Sequence, residues 1–174
     1  ARGFGSLASH SNDYSGRPFS FILRTVTTST VDVRIRRLTP SVNLPAYQTA
    51  GAAGFDLAAS QSMTVQPGEV ALVPTGLVIA VPAGHFLGVF ARSSTPLKRG
   101  LMVANGVGII DSDYCGPADE IKIQVLNFTA QPVEIQSGDR LAQGLVLPFV
   151  RARWVEDDTS RDGSNRGGFG STGR

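Results

Sequence analysis

The densest set of groups able to do chemistry lies near the middle of the chain: Asn105-Gly106-Val107-Gly108-Ile109-Ile110-Asp111-Ser112-Asp113-Tyr114-Cys115-Gly116. Its glycines permit positive φ and let the backbone come close to a ligand. Asn105 carries a donor and an acceptor side by side, the pattern that reads the edge of a flat heterocycle. Asp111 follows two apolar residues, which would set its carboxylate at the lip of a dry pocket, where it can act as a general base. Tyr114 offers a ring against which a sugar or base can pack. The same run also reads as a β-hairpin with a polar turn.

Three other segments set polar groups at the ends of apolar runs. Arg92, Ser93 and Ser94 follow a run ending at Phe90, and a guanidinium beside hydroxyls binds phosphate through charge-assisted hydrogen bonds. Ala53-Gly54-Phe55-Asp56-Leu57 and Gly138-Asp139-Arg140-Leu141-Ala142-Gln143 each read as a turn leading into a strand. The neighbours Asp139 and Arg140 read as a surface pair, worth about 0–1 kcal/mol.

The elements that must position these residues are short and β-rich. Val31, Val33 and Ile35 alternate with Asp32, Arg34 and Arg36, the period of a half-buried strand, and Pro40 and Pro45 end it. Further strands are expected over 70–73, 77–81, 85–90, 121–128, 133–135 and 141–149, separated by turn signals such as Pro67-Gly68 and Gly84. No segment sustains a 3.6-residue apolar period, and one helical turn is expected around Ser94–Lys98. Close-set strands of this kind predict an all-β sandwich, jelly roll or barrel. Residues 1–24 lack any period and read as a flexible amino-terminal extension. The barrel domain is assigned to 25–156, and the Gly-rich stretch 157–174 reads as a tail whose one large apolar residue is Phe169.

Composition narrows the chemistry. The 174 residues suit one domain with a real core, and 20 Gly with 10 Pro suit strands and turns rather than a helical bundle. No stretch approaches the roughly 20 apolar residues that span a bilayer, so no membrane partner is expected. The single Cys115 excludes an internal disulfide framework, and a cytoplasmic setting is expected. The two histidines, His10 and His85, lie far apart and speak against zinc, so a metal here would be a hard ion held by oxygen, such as Mg²⁺. The net charge of +2 divides into +4 over residues 1–40 and −2 over the rest. Six Arg spread over forty residues are not a dense patch; they read as a solvated tail, with faintly transit-peptide-like character, and no nucleic-acid partner is expected.

Taken in order, the four segments together with Arg166-Gly167-Gly168-Phe169-Gly170-Ser171-Thr172-Gly173 resemble the five motifs of the homotrimeric dUTPase family, over roughly Val31 to Arg174. The resemblance implies a jelly-roll-like β-barrel, a homotrimer with each active site shared among subunits, and Mg²⁺-dependent cleavage of dUTP to dUMP and pyrophosphate. It assigns Asp111 to activating the attacking water at the α-phosphorus. Asn105 and the backbone of 106–110, including Gly108, Ile109 and Ile110, would read uracil, and Tyr114 would pack under the deoxyribose and leave no room for a 2′-hydroxyl. Arg92, Ser93, Ser94 and Gln143 would hold phosphates, Lys122 would touch substrate through its main chain, and Arg140 would be structural. Asp56 would lie near a hydrated Mg²⁺ held mainly by the phosphates. Phe169 and Gly170 would close over the base, with Arg161 or Arg166 on the γ-phosphate.

The chain departs from the family pattern twice. Extra residues separate Asp158-Thr159-Ser160-Arg161 from Gly167, which leaves the γ-phosphate role open between the two arginines. Gly116-Pro117-Ala118-Asp119-Glu120 is longer than the usual turn and is expected to lengthen a hairpin loop, with Cys115 a structural bystander. Two rival readings are a deoxycytidine triphosphate deaminase on the same fold, alone or bifunctional, and a non-catalytic β-barrel binding module. The first lacks a catalytic Glu within the motifs, and the second would need neither Asp111 nor the Gly-rich end.

Overall fold

The computed structural model describes residues 30–157, within which eleven strands and one short helix are formed. The strands are β1 Arg34–Arg37, β2 Phe55–Ala58, β3 Met63–Val65, β4 Val70–Pro74, β5 Leu77–Ala80 and β6 His85–Ala91. After the helix α1, Ser94–Arg99, come β7 Leu101–Val103, β8 Gly108–Ile110, β9 Lys122–Asn127, β10 Val133–Ile135 and β11 Arg140–Pro148. The chain is all-β with a jelly-roll-like arrangement, as the short strands lead one to expect.

All pairings are antiparallel and fall into four small sheets, β1-β5, β10-β3, β2-β11-β6-β8 and β4-β9-β7. Side chains alternate across each strand, so one face of each sheet enters a common core. On β9, Ile123, Val125 and Asn127 point inward while Lys122 is exposed. Leu57, Leu87, Leu101, Ile121, Ile135 and Leu141 join them with essentially no exposed surface. Each buried aliphatic side chain of this size contributes about 1.5–3 kcal/mol of transfer free energy.

The buried polar residues are satisfied. Asn127 Nδ2 donates to Val65 O at 2.9 Å and Gln131 O at 2.8 Å, while its Oδ1 accepts from the Thr129 amide and hydroxyl at 2.9 and 2.8 Å. This side chain ties β3 to the β9–β10 turn.

The structure moves several expected boundaries. β1 starts at Arg34, not Val31, which is exposed, although Val33 and Ile35 do pack on the core. β5 stops at Ala80 and β9 at Asn127. β3, β7 and β8 have three residues each, too few to show a period in sequence. The expected helical turn is α1, one residue longer than foreseen. The predicted extension 1–24 and all but Asp157 of the predicted arm 157–174 lie outside the described residues.

Candidate functional site

Two polar clusters stand on the sheet β2-β11-β6-β8. The first forms where β2, β11 and the β6–α1 junction meet. Asp56 lies opposite Gln143, and Gln143 lies opposite Phe90, so strand register alone brings these segments together. The Asp56 carboxylate accepts from Arg92 Nε at 2.7 Å and from Arg140 Nη1 at 2.9 Å. Arg92 Nη1 also donates to Arg140 O at 2.8 Å, and Gln143 Nε2 donates to Ala91 O at 3.0 Å. One acid thus aligns two guanidinium groups, leaving a cationic, partly exposed surface.

Ser93 is exposed and Ser94 half-buried, and the hydroxyls of both are free of hydrogen bonds within the described residues. A polar cleft of about 360 Å³ opens here, lined by Arg92, Ser94, Thr95, Lys98, Arg99 and the Gly138–Arg140 turn. Such a set of donors suits a phosphate chain.

Asp139 does not pair with its sequence neighbour Arg140. It takes a bidentate ion pair from Arg99 at 2.5 Å and accepts from the Gln136 amide at 2.8 Å. Partial burial pushes its carboxyl up, but the Arg99 hydrogen bonds, the Gln136 amide and the Arg99 charge outweigh that and hold it below the ordinary value of 3.8. The partner lies forty residues away in sequence, so adjacency was the wrong guide.

The second cluster runs along β8, with Asp111 beyond the Phe86 end of β6. This strand is the outer strand of its sheet and pairs only with β6, so its far edge offers unpaired backbone groups. Gly106, at φ 71°, makes the turn into it, with its amide on Val103 O at 3.2 Å. A side chain at Gly108 would crowd Val89 Cβ at 3.1 Å. Ile110 packs on the core, Ile109 faces out, and Asp111 follows in the open with a carboxylate that has no partner among the described residues. The Asn105 side chain is likewise free of hydrogen bonds among the described residues.

Tyr114 is 41% exposed, and its hydroxyl donates to Glu120 O at 3.3 Å, beside Lys122 at the start of β9. The lengthened turn is stitched down. Arg36 donates to Gly116 O and Pro117 O at 3.3 and 2.8 Å, Asp119 accepts from the Gly116 amide at 2.6 Å, and Glu120 accepts from the Gly76 amide at 2.7 Å. The contacts of Arg36, Glu120, Thr95 and Arg99 are not legible in the sequence, because their partners are distant and no local pattern marks them. Cys115 is half-buried, with Sγ 3.6 Å from Ser112 O and no base beside it among the described residues.

Asp111 and Arg92 do not meet within one chain. Ile110 lies opposite Leu87, so Asp111 flanks the Phe86 end of β6, whereas Arg92 follows the other end at Ala91. At ~3.3 Å per residue, about 20 Å of strand separates them. Arg161, Arg166, Phe169 and Gly170 lie outside the described residues.

Among the described residues no three of His, Cys, Asp and Glu come together as metal ligands, and both oxygens of Asp56 already face arginine. The described residues thus offer no all-protein cage of oxygen ligands for a metal ion.

The fold is an all-β jelly-roll-like barrel carrying two polar clusters, and comparison with known proteins gives the class. The dUTPase family model matches residues 41–173. The deoxyuridine 5'-triphosphate nucleotidohydrolase of Desulfitobacterium hafniense is 48% identical over 134 residues, 75% of this chain and 87% of its own. The crystal structure of dUTPase from Streptococcus mutans superposes with a TM-score of 0.65 at 36% identity, covering 69% of this chain and 98% of that one. A mutant dUTPase from phage phi11 of S. aureus, described as coordinating a structural Mg(II) ion, shares the fold at 21% identity and a TM-score of 0.67, over 74% of this chain and 98% of its own. This chain belongs to the dUTPase family.

Proposed function

We propose that this protein hydrolyses dUTP to dUMP and pyrophosphate, with Asp111 as the general base. The observation that carries this reading is the free carboxylate of Asp111 beside the open edge of β8, while Asp56 and Asp139 are each occupied by arginine. Asp111 takes a proton from water, the water oxygen bonds to the α-phosphorus, and the bond from that phosphorus to the bridging oxygen breaks, releasing pyrophosphate. Asn105 and the backbone of 106–110 read the uracil edge. Tyr114 packs under the deoxyribose and excludes a 2′-hydroxyl. Arg92, Ser93, Ser94 and Gln143 hold the phosphates, and Lys122 contributes main-chain contact. Phe169 and Gly170 close over the base, with Arg161 or Arg166 on the γ-phosphate. Asp56 would lie near the water shell of a Mg²⁺ ion bound to the phosphates, and that ion would supply neutralisation of the triphosphate charge.

A homotrimer with shared sites belongs to the same reading. A base must lie within about one water of the reacting phosphorus, and the ~20 Å of strand between Asp111 and Arg92 favours drawing the two from different subunits. The extended run after β11 supports it: Val150, Trp154 and Val155 are 96%, 91% and 72% exposed. A solvent-facing tryptophan beside two aliphatics calls for a covering surface, and a neighbouring subunit supplies one.

The test is a panel of nucleoside triphosphates, with pyrophosphate, phosphate and ammonia release followed together. The reading expects pyrophosphate from dUTP, little turnover of UTP, and no ammonia from dCTP. Ammonia release would indicate the deaminase instead, and an inert panel a binding module.

A further inference from the structure

We propose that Arg99 and Asp139 are positioning residues for the triphosphate, holding Arg92 and Ser94 in the orientation that grips it. The inference rests on the functional reading above and concerns two residues to which the motif reading assigns no substrate role.

Little holds α1 in place. The helix has six residues, too short to be stable alone, and only Thr95 is buried. Leu97 is 88% exposed, so no apolar face seats the helix on the sheet. Its orientation therefore comes from polar contacts, and three of them run to the same stretch of chain. Arg92 Nη1 donates to Arg140 O at 2.8 Å, Thr95 Oγ1 donates to Leu141 O at 2.9 Å, and both Arg99 nitrogens meet Asp139. Asp139 is itself fixed by the Gln136 amide at 2.8 Å.

The three contacts act as one clamp between α1 and residues 139–141. The Arg92 and Thr95 contacts are single hydrogen bonds near the start of the segment. The Arg99 fork is bidentate and charge-assisted, and it fixes the far end, so it sets the rotation of the helix about those two bonds. Ser94, whose hydroxyl is free among the described residues, lies on that helix, and Arg92 leads into it. Without the fork the helix can turn, and the phosphate donors lose their common aim. The second cluster, around Asp111, makes no contact with this clamp.

A loosened phosphate grip predicts a specific kinetic pattern. Arg99→Met and Asp139→Asn should each raise KM for dUTP roughly tenfold or more, with kcat falling less than about threefold, because binding is lost equally from ground and transition states. Inhibition by inorganic pyrophosphate should weaken in parallel, whereas inhibition by deoxyuridine, which has no phosphate, should not change. The double variant should be no worse than the poorer single one, as expected of two residues acting through one contact. Arg99→Lys keeps the charge without the fork; it should fall between wild type and Arg99→Met, and it carries the same test should Arg99→Met fail to fold. A lowered Tm with unchanged KM and pyrophosphate inhibition would overturn the proposal and leave the pair purely structural. Equal weakening of deoxyuridine and pyrophosphate would overturn it too. A wild type unable to turn over dUTP sinks the functional reading, whereas active variants with wild-type KM sink this inference alone.

Discussion

Mixing two inactive variants should restore activity. Arg92→Ala removes the phosphate end of the site, and Asp111→Asn removes the base; each alone is expected to be nearly dead. In the structure about 20 Å of β6 lies between the two positions, and on the proposed shared-site reading a working site takes one cluster from each of two neighbouring chains. In oligomers reassembled at random from equal amounts of the two variants, half the phosphate clusters come from Asp111→Asn chains and are intact. Half of their Asp111-bearing neighbours are Arg92→Ala chains and are intact as well. About one quarter of the sites should then be whole, and the mixture should recover about one quarter of wild-type dUTP turnover, whatever the number of subunits in a closed ring. The assay is pyrophosphate release after refolding the mixture, with exchange verified by mass-tagged wild-type chains. Full exchange without recovered activity would refute the shared site, and with it the separation read from the strand register.

Three further outcomes follow from the same geometry. Asp56→Ala leaves two guanidinium groups facing each other without their acid, and it should cost about 2 kcal/mol in urea unfolding after allowing for the exposure of Arg140. Gly100→Ala forces a positive φ of 64° on a residue with a Cβ and drives that Cβ into Thr129, whose hydroxyl is fixed by Asn127. A loss of about 2–4 kcal/mol is expected, and a drop in Tm measures it. The Asp139 carboxyl titrates below its unfolded value, so its stabilising contribution is fully present above that value and is lost as pH falls through the folded one. The stability gap between wild type and Asp139→Asn, followed by urea unfolding, should therefore be widest near neutral pH and close as pH falls below about 4. A gap that widens on acidification would reverse the assigned sign.

Much of this was legible in the chain, and the limits are physical. Ile123, Val125 and Lys122 alternate cleanly because β9 has one buried face, so their strand and its core side could be read directly. The turn of helix expected around Ser94–Lys98 is present as α1, which Gly100 closes in a left-handed conformation. Local pattern failed where a residue's partner lies far along the chain. Asp139 reads in sequence as the partner of Arg140, yet forty residues of chain return to join it to Arg99, and Arg140 goes to Asp56. The motif residues themselves were readable as a set, but their division into two clusters was not, since it is fixed by the pairing of β6 with β8 and of β11 with β2. The anchoring of the lengthened turn by Arg36 was hidden for the same reason.

The most direct measurement is dUTP turnover in ¹⁸O-enriched water by the wild type and by Asp111→Asn. The account predicts one labelled oxygen in dUMP and none in pyrophosphate, with Asp111→Asn slower by roughly 10²–10⁴ while still binding nucleotide. Label in pyrophosphate, or an Asp111→Asn enzyme that turns over at the wild-type rate, would contradict it.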